Sequence, residues 1–385
     1  MTTATTTKFK ETDIGLIPKE WGFEALEKHA SILMGQSPES DFYNQSENGT
    51  AFLQGIRTFG EKYPSYDTWT TKVTKLAKSG SVLLSVRAPV GEVNIATRDI
   101  CIGRGLMAIN GKSNEFLFQL FKAYKSYVVG KETGTVYGSV TKDDIAKIKF
   151  PFPLEQEQRE IAEILSSLDD KIELNRKINV NLEKLASSLF KKRFVSIGNQ
   201  LPEGWRVGTF GEAIINFDSK RIPLSSRERE KKQGSYPYYG ATSIMDYVDD
   251  FIFDGTYVLL GEDGSVAKED GKPFVQYVNG KMWVNNHAHV LQGKNGFSTE
   301  YIKVFLDQVD IMPFVTGAVQ PKLNQANMNS VPMIIPDQKT LIKFNEILSA
   351  LFGMILENES QTKNLEQVRD SLLPRLMSGK IRVNI

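Results

Sequence analysis

The sequence predicts an α+β protein in which two similar mixed α/β domains are separated by two long antiparallel helices that form a coiled coil. Three observations support this fold class: a heptad seam of apolar residues, a second copy of that seam, and short β-branched runs before each copy. Because the pattern occurs twice, we expect a pseudo-twofold tandem repeat. The predicted boundaries are a first domain at 1–152, a central helix at 153–196, a second domain at 197–335, and a C-terminal helix with a tail at 336–385.

The composition is that of an ordinary globular protein. Of the 385 residues, 41% are hydrophobic and 24% are charged, which is enough apolar material for real cores. The net charge of +1 means that any DNA-binding surface must be a local patch. The single cysteine, Cys101, excludes an internal disulfide and is expected to be buried. No signal peptide or membrane-spanning run is visible, so we expect a cytoplasmic protein without membrane contact.

The first domain is predicted to contain short strands followed by a helix. Residues 80–110 form β-branched runs interrupted by Gly and Pro, which is typical of strands and turns. Residues 113–130 are expected to form a helix with one apolar side. The second domain has the same pattern of short β-branched runs, with a corresponding helix expected at 298–311. Similar cores with divergent loops indicate one fold that carries two different surfaces.

A heptad seam organises residues 154–194. Pro151 and Pro153 prevent a helix upstream, and Glu155 and Glu157 suit the positive end of a helix dipole. The seam alternates steps of four and three residues, interrupted only by Asn175 and Asn179. Its apolar members are Ile161, Leu165, Leu168, Ile172, Leu182, Ala186 and Leu189. This pattern predicts a long helix that packs against another helix.

The second half of the chain repeats the first. Pro18 and Trp21 match Pro202 and Trp205. Further matches at a constant spacing of 183 residues pair Thr133-Gly134-Thr135-Val136 with Thr316-Gly317-Ala318-Val319, Pro153 with Pro336, Glu163-Ile164-Leu165-Ser166 with Glu346-Ile347-Leu348-Ser349, and Asn181-Leu182-Glu183 with Asn364-Leu365-Glu366. An ungapped spacing over this length indicates a tandem duplication, so the second helix is the expected partner of the first.

The second helix carries the same seam, and both helices carry a further apolar stripe. Its seam residues are Phe344, Leu348, Leu351, Ile355, Leu365 and Leu372. Asn175 and Asn358 occupy equivalent positions and are expected to fix the register of the helix pair, the alternative being solvated side chains where the helices diverge. The further stripe comprises Ile164, Ile178, Leu185, Ile347, Met354 and Val368. A helix pair alone does not bury both stripes, so a partner protein is expected to dock there unless the domains cover it.

The motifs of catalysis are missing. Gly111-Lys112-Ser113 has Leu106 where a phosphate loop needs glycine, and Gly103-Arg104-Gly105 lacks the third glycine of a dinucleotide fingerprint. His287 and His289 are expected to face one side of a strand in a structural role, and we predict no metal site. Glu262, Asp263 and Lys268 do not form the strand-borne pattern of a nuclease. A non-catalytic binding protein is therefore expected.

The chain resembles the specificity subunit of Type I restriction–modification enzymes over essentially its whole length. The carrying stretches are IPKEWGFEALEK and its echo LPEGWRVGTFGE, PLEQEQREIAEILSSLDDKIELN, ASSLFKKRFV and LLPRLMSGKIRV. LLSVRAPVGEVNI, CIGRGLMAI and DGTYVLLGEDG resemble recurrent stretches of the family's target-recognition domains. The second helix departs from the pattern at its start, with PDQKTLIKF where PLEQEQREI stands.

The resemblance implies a DNA-specificity subunit that is itself non-catalytic. Each domain would read one half of a bipartite double-stranded DNA target, and the helix pair would set the spacing and dock two methyltransferase subunits. Restriction and motor subunits would also join. The resemblance implies no cofactor in this chain, because S-adenosylmethionine, ATP and magnesium would belong to the partner subunits.

Candidate DNA contacts are chosen by residue type, because Arg, Asn and Lys suit guanine, adenine and phosphate respectively. Residues 54–75 mix cations with aromatic side chains, a basic stretch runs from Lys220 to Lys232, and the paired loops at 133–142 and 316–324 end in polar residues. The expected contacts are Arg57, Lys62, Lys72, Lys75, Arg87, Arg104, Lys142, Lys220, Arg221, Arg227, Lys322 and Asn324. The alternative is a set of ordinary solvated loops.

Two other functions remain open at this point. A coiled-coil scaffold with two protein- or glycan-binding end domains would show no salt-dependent DNA affinity. A stand-alone nuclease would cleave DNA with magnesium. The repeat makes a separate prediction: if the antiparallel helices bring the chain ends near the junction between the repeats, a permuted chain opened near Gly198 should still fold.

Overall fold

The computed structural model describes residues 8–131, 138–196, 200–317 and 319–383. The chain forms two compact units. Unit 1 comprises Met1–Arg176 and Glu359–Ile385, and unit 2 comprises Lys177–Asn358. Both long helices are therefore divided between the units, because each helix half packs onto a globular part. The predicted matches at 133–136 and at Ala318, and the permutation site at Gly198, lie outside the described residues.

The globular part of unit 1 contains two sheets that share one core. The first sheet has the antiparallel order β10-β9-β12-β4, and Ala108 of its central strand β12 pairs with Leu33 and Leu83. The second has the order β5-β7-β6-β11-β8, in which β6 and β11 are parallel. The strands are β1 (Phe9–Thr12), β2 (Gly15–Pro18), β3 (Gly22–Ala25), β4 (Ala30–Met34), β5 (Tyr43–Asn44), β6 (Thr50–Leu53), β7 (Trp69–Thr70), β8 (Leu76–Ala77), β9 (Val82–Ser85), β10 (Val93–Ile95), β11 (Ile100–Ile102), β12 (Leu106–Gly111) and β13 (Lys149–Phe152). The strands expected within 80–110 are thus confirmed, and Cys101 is buried in β11.

The helices of unit 1 begin where the sequence supplies caps. Ser113 accepts a hydrogen bond from the Phe116 N–H, and Thr141 forms a capping box with Asp144. The helix expected at 113–130 is present as two helices that meet at Tyr124. The α-helices are α1 (Asn114–Ala123), α2 (Lys125–Val129) and α3 (Lys142–Lys147), with 3₁₀ turns at Leu26–Lys28, Ser40–Phe42 and Ile56–Thr58. Helix α1 is buried over six consecutive residues, from Phe116 to Phe121, more than the one apolar side that was predicted. It packs against the first sheet and forms a second core of the unit, beside the core between the two sheets.

The first long helix is α4 (Glu155–Phe190), which continues as a π-helical turn at Lys191–Val195. Its 36 residues correspond to about 54 Å at ~1.5 Å per residue. The seam faces inward as predicted: Ile161, Leu165, Ile172 and Ala186 are buried. Hence the heptad pattern alone located both the helix and its packing face.

The globular part of unit 2 is built on one mixed sheet of order β15-β20-β18-β19-β16-β17. The helix expected at 298–311 is shorter, ending at Leu306. The strands are β14 (Arg206–Thr209), β15 (Ile214–Asn216), β16 (Gln233–Tyr239), β17 (Ile244–Val248), β18 (Phe253–Gly261), β19 (Val275–Val284), β20 (Ala288–Gly293) and β21 (Pro332–Ile335). The helices are α5 (Phe210–Ala213), α6 (Ser226–Lys231), α7 (Thr299–Leu306), α8 (Gln325–Asn329) and the second long helix α9 (Gln338–Met377), with 3₁₀ turns at Asp218–Lys220 and Met312–Phe314.

The two long helices run antiparallel within each unit. In unit 1, Asp169 pairs with Arg369, and Asn175 pairs with Gln361. From one contact to the next, the residue number increases in α4 and decreases in α9, so the helices are antiparallel. In unit 2, the Phe194 and Phe344 rings lie 4.8 Å apart between centroids. There Asn358 donates to Asn179. The predicted antiparallel pairing is confirmed in both units. Among the described helices, none has the length and apolar character needed to span a membrane.

Each globular part begins beside the end of a long helix. In unit 1 the turn after α9 packs on the first strands: a Cβ on Gly379, whose φ is +67°, would lie 2.4 Å from Pro18. Only glycine fits this close approach without strain. In unit 2 the Phe194 ring at the end of α4 stacks on Trp205 with centroids 5.4 Å apart. The repeat therefore closes on itself in unit 1, where the tail of the chain meets its beginning.

Candidate nucleic-acid interface

A tryptophan in each unit ties the globular part to the start of a long helix. Trp21 Nε1 donates to Glu157 Oε2 at 3.0 Å, and Glu157 also accepts from Arg382 at 2.7 Å. In unit 2, Trp205 Nε1 donates to Asp337 Oδ2 at 2.9 Å. Asp337 precedes α9 and also accepts hydrogen bonds from the N–H and the hydroxyl of Thr340. The hydrogen bonds from Thr340 and Trp205 lower the pKa of Asp337 to about 2. These contacts fix how each recognition surface is mounted on its helix.

Two adjoining grooves in unit 1 bring four of the predicted DNA residues together. The Arg57 groove, about 410 Å³ in volume, is lined by Arg57, Asp67 and Arg104 among others. The Arg87 groove, about 510 Å³, is lined by Arg87, Arg104 and Lys142. Arg104 lies on both grooves and is exposed. Because Asp67 pairs with Arg57, the positive charge of this surface lies mainly on Arg87, Arg104 and Lys142. These side chains suit the phosphates and base edges of DNA.

The position of Arg104 follows from the parallel strands β6 and β11, whose carboxyl ends meet at one edge of the sheet. The Gly103 N–H donates to Leu53 O at 2.8 Å, which brings the two strand ends together. A Cβ on Gly35 would lie 2.1 Å from Gly103 O, and one on Gly105 would lie 2.5 Å from Gln54 O. Glycine is therefore required at these close approaches, and it lets three loops converge.

Two other predicted cations of this region have local partners. Lys72 pairs with Glu39 at 3.1 Å and lies over the Phe42 ring. Lys75 is half-buried, and its carbonyl accepts from the Ile102 N–H at 2.9 Å. Both stay predictions as DNA contacts. The ion pair with Glu39 reduces the free charge of Lys72, whereas the contact of Lys75 is made by its backbone and leaves its charge unaffected.

Lys62 was expected on the DNA surface, and this prediction is wrong. Its side chain is only 1% exposed. Its Nζ donates to Asp170 at 2.8 Å and lies 3.2 Å from Glu115. Although burial lowers the pKa of Lys62, the hydrogen bond to Asp170 and the charge of Glu115 together raise it above its ordinary value. Lys62 thus anchors α4 to the globular part and cannot reach DNA.

Arg221 is also a structural residue, contrary to the prediction. Its guanidinium donates to Glu262 at 2.7 Å and to the Ala288 carbonyl at 2.6 Å. The same cluster contains His289, which is fully buried and lies 2.6 Å from Asp218 through Nδ1. Burial raises the pKa of Asp218, but the hydrogen bond and charge of His289 outweigh it and lower the pKa to about 2. The cluster joins the loop after β15 to β20.

His287 and His289 do not share a face as predicted. Strand β20 begins at Ala288, so His287 lies in the preceding turn and is exposed, whereas His289 points into the core. Ligand atoms of Asp218, Glu262 and His289 lie within 4.8 Å of one another. The guanidinium of Arg221 already supplies the positive charge between the two carboxylates. This is the geometry of a satisfied ion network, and the expectation of no metal stays a prediction.

The remaining candidates of unit 2 divide into exposed cations and a helix cap. Lys220, Arg227 and Lys322 are exposed and stay predicted DNA contacts. Asn324 instead caps α8, because its Oδ1 accepts from the Asn327 N–H at 2.9 Å. In the basic stretch, Arg229 is held by Asp246 at 3.0 Å. The free positive charge of unit 2 is thus smaller than the sequence suggests.

The helices display the second apolar stripe to solvent. Ile164, Leu185, Ile347, Met354 and Val368 are 38% to 52% exposed, and Ile178 is half-buried. The globular parts therefore leave most of the stripe accessible.

In the seam, Asn175 is 1% exposed and donates to Gln361 at 2.9 Å. This contact supports the prediction that Asn175 fixes the register of the helix pair. The hydrogen bond from Asn358 to Asn179 in unit 2 supports the same role for Asn358.

Ser37 and Gln54 also line the Arg57 groove, and neither was predicted from the sequence. Both side chains are uncharged, so positive charge does not distinguish them. The signal available in the sequence was the set of glycines around them, Gly35, Gly103 and Gly105, since such residues mark close backbone approach.

The chain is similar to known proteins over its whole length. The family model described as the Type I restriction modification DNA specificity domain matches residues 18–184 and again 202–367. The Type I restriction enzyme MjaIX specificity subunit of Methanocaldococcus jannaschii is 26% identical, over 98% of this chain and 97% of the relative. The putative type I restriction enzyme MjaX specificity subunit of the same organism is 42% identical over 46% of this chain and 43% of the relative. A crystal structure of the Type-I restriction-modification S subunit from M. genitalium has the same fold, with a TM-score of 0.60, 18% identity, and coverage of 99% of this chain and 100% of that chain.

Proposed function

The chain belongs to the Type I restriction modification DNA specificity family, and from this premise we propose that each unit reads one half of a bipartite double-stranded DNA target. As a specificity subunit it is a non-catalytic member of its complex. The observation that carries the proposal is the convergence of Arg57, Arg87, Arg104 and Lys142 on two adjoining grooves of a protein whose net charge is only +1. Unit 2 contributes its exposed cations Lys220, Arg227 and Lys322.

The exposed stripe supports a proposal about partners. Large apolar side chains that repeat along a helix and remain in solvent mark a protein interaction surface. Because the stripe occurs in both repeats, we propose two docked methyltransferase subunits, one for each copy. They would bring S-adenosylmethionine and the base pocket, and restriction and motor subunits would bring ATP and magnesium chemistry. DNA as the target places this action in the cytoplasm.

The helix pair is proposed to set the distance between the two half-sites. Each long helix is a continuous element that takes part in both units, with 36 and 40 residues respectively. A continuous helix is stiff compared with a loop, so the spacing of the half-sites should be fixed. Insertion of whole helical turns in both helices should lengthen the unread spacer of the DNA target.

Methylome sequencing tests the proposal. A host that expresses this chain with its methyltransferase should show adenine methylation at both ends of one bipartite motif. A single continuous motif would contradict the assignment of one half-site to each unit. A filter-binding assay of the assembled complex should also show DNA affinity that falls steeply with salt. Affinity that is absent at every salt concentration would favour the scaffold function, which family membership does not support.

A further inference from the structure

The Arg57 groove holds the amide of Gln54 in one orientation. The Ser37 hydroxyl accepts a hydrogen bond from the Arg104 N–H at 3.2 Å and donates one to Gln54 Oε1 at 2.7 Å. The oxygen of the Gln54 carboxamide is therefore engaged by Ser37. Gln54 lines the groove, and among the described residues its NH₂ group has no hydrogen-bond acceptor, so that group is available as a donor there. A Cβ on Gly103 would lie 2.7 Å from Gln54 Oε1 and 3.0 Å from Ser37 Oγ, so this arrangement needs glycine there.

The two arginines of the groove differ in their freedom. Arg57 donates to both oxygens of Asp67, each at 2.7 Å, which occupies the guanidinium and the carboxylate together. This pairing lowers the pKa of Asp67, which therefore stays ionised and committed to Arg57. Within the described parts of the chain, no residue forms a hydrogen bond or ion pair with the guanidinium of Arg104. Arg104 and the Gln54 NH₂ thus offer donors to the groove, while the acceptors Asp67 and Gln54 Oε1 are already engaged.

A guanidinium donates but cannot accept hydrogen bonds, so Arg104 selects one kind of base edge. In the major groove, guanine presents two acceptors, O6 and N7, whereas adenine and cytosine each present a donor amino group. A glutamine that reads adenine must use its oxygen and its nitrogen together, and Ser37 holds the oxygen of Gln54. We propose that Arg104 reads a guanine through O6 and N7 in the half-site of unit 1, and that Gln54 donates to an acceptor of the same or the adjacent base pair. This assignment rests on the proposed function and makes it specific.

The test uses the full chain assembled with its methyltransferase. The motif of the wild-type complex is first determined by methylome sequencing, and the motif of Arg104→Ala is determined in the same way. The variant should accept other bases at one G·C pair of one half-site and leave the other half unchanged. In synthetic duplexes, 7-deazaguanine at that position should weaken binding of the wild type about 5- to 150-fold. Arg104→Ala should lose this sensitivity.

Two further variants separate base reading from charge and from folding. Arg104→Lys keeps the positive charge but lacks the planar fork, so it should retain salt-dependent affinity and lose the discrimination at the G·C pair. Ser37→Ala releases Gln54 Oε1, so the base pair contacted by Gln54 should come to tolerate adenine. Lys78→Ala is the matched control, since Lys78 is an exposed cation of unit 1 paired with Asp99, and its motif should equal that of the wild type.

The outcomes distinguish this assignment from the proposed function. A wild-type complex that methylates no bipartite motif would overturn the proposed function and the assignment with it. A bipartite motif that is unchanged in Arg104→Ala, or that relaxes at an A·T pair, would overturn the guanine assignment alone. Circular dichroism of each variant, matched to the wild type, excludes unfolding as the source of any change.

Discussion

At one repeated position of the long helices, unit 1 and unit 2 join their globular parts to the helices through opposite chemistry. In unit 1 the buried Asp169 of α4 accepts from Arg369 of α9 at 3.1 Å and from Gln119 of α1 at 2.6 Å. In unit 2 the corresponding position is apolar, because Phe352 of α9 is buried and packs against Tyr277 of β19 with ring centroids 4.7 Å apart. The same repeated position is thus held by charged hydrogen bonds in unit 1 and by apolar packing in unit 2.

The constant spacing of 183 residues makes the difference explicit at single positions. Asp169 corresponds to Phe352, and Arg369 corresponds to Ala186. Both members of each pair are buried. A buried ion pair adds little net stability but penalises any arrangement that separates its members, whereas an apolar pair tolerates many partners. Unit 1 therefore gains specificity of pairing at the position where unit 2 gains packing energy.

The largest expected effect is the loss of the aromatic cluster of unit 2. Phe190 is 2% exposed, and its ring lies within 5.2 Å of Tyr301 and 4.9 Å of Phe194. Phe190→Ala should lower the free energy of unfolding of unit 2 by about 4 kcal/mol, because it removes buried area and leaves a cavity. Urea denaturation of the full chain, followed by tryptophan fluorescence, measures the change. Phe190→Leu should cost clearly less, and equal losses in the two variants would show that the cluster is not tightly packed.

The next effect is the removal of one member of the ion pair in unit 1. Arg369→Ala leaves Asp169 buried with Gln119 and the ammonium of Lys122, which lies 3.4 Å away. We expect a loss of about 3 kcal/mol, because a buried charge without its main partner is costly. Thermal or urea unfolding of the full chain measures it. Lys78→Ala, which breaks an exposed pair, is the control and should change stability by less than about 1 kcal/mol. A loss of that small size for Arg369→Ala would mean that the pair is effectively solvated.

Part of the pH dependence of unit 2 comes from the ion cluster around Asp218, which is separate from the helix junction. The folded-state pKa of Asp218 is about 2, below its ordinary value of 3.8. Ionised Asp218 therefore stabilises the folded state. This contribution to the free energy of unfolding is present above about pH 4 and is lost as pH falls from 4 to 2. We expect the wild type to lose about 2 kcal/mol more than Asp218→Asn over this range, because the amide does not titrate. Urea unfolding at pH 5, 4, 3 and 2 measures the difference, and parallel curves for the two proteins would contradict it.

The sequence predicted those features that depend on linear patterns. The seam from Ile161 to Leu189 located α4 and its buried face because a heptad is visible within one segment. Whether a single Lys or Arg is buried and paired could not be predicted from the sequence. Lys62 resembles its surface neighbours in sequence, yet it is buried because Asp170, 108 positions later, lies above it. The grooves depend in the same way on residues of several loops, so the type of a side chain did not reveal whether it was free.

The smallest expected effect comes from replacing the ion pair of unit 1 by the apolar pair of unit 2. It tests directly whether the packing of one unit can substitute for the ion pair of the other. Asp169→Phe alone should destabilise unit 1, since it leaves Arg369 without its buried carboxylate partner and with only the exposed Glu61 and Asp370. In the background of Arg369→Ala the same change should instead stabilise by about 1 kcal/mol, because it installs the apolar pair of unit 2 and removes a buried charge that has lost its main partner. The double-mutant cycle is measured by urea unfolding, with methyltransferase binding as a check on the native state. If Asp169→Phe destabilised both backgrounds equally, Asp169 and Arg369 would not be coupled, and their junction would not be an ionic equivalent of Phe352 and Ala186.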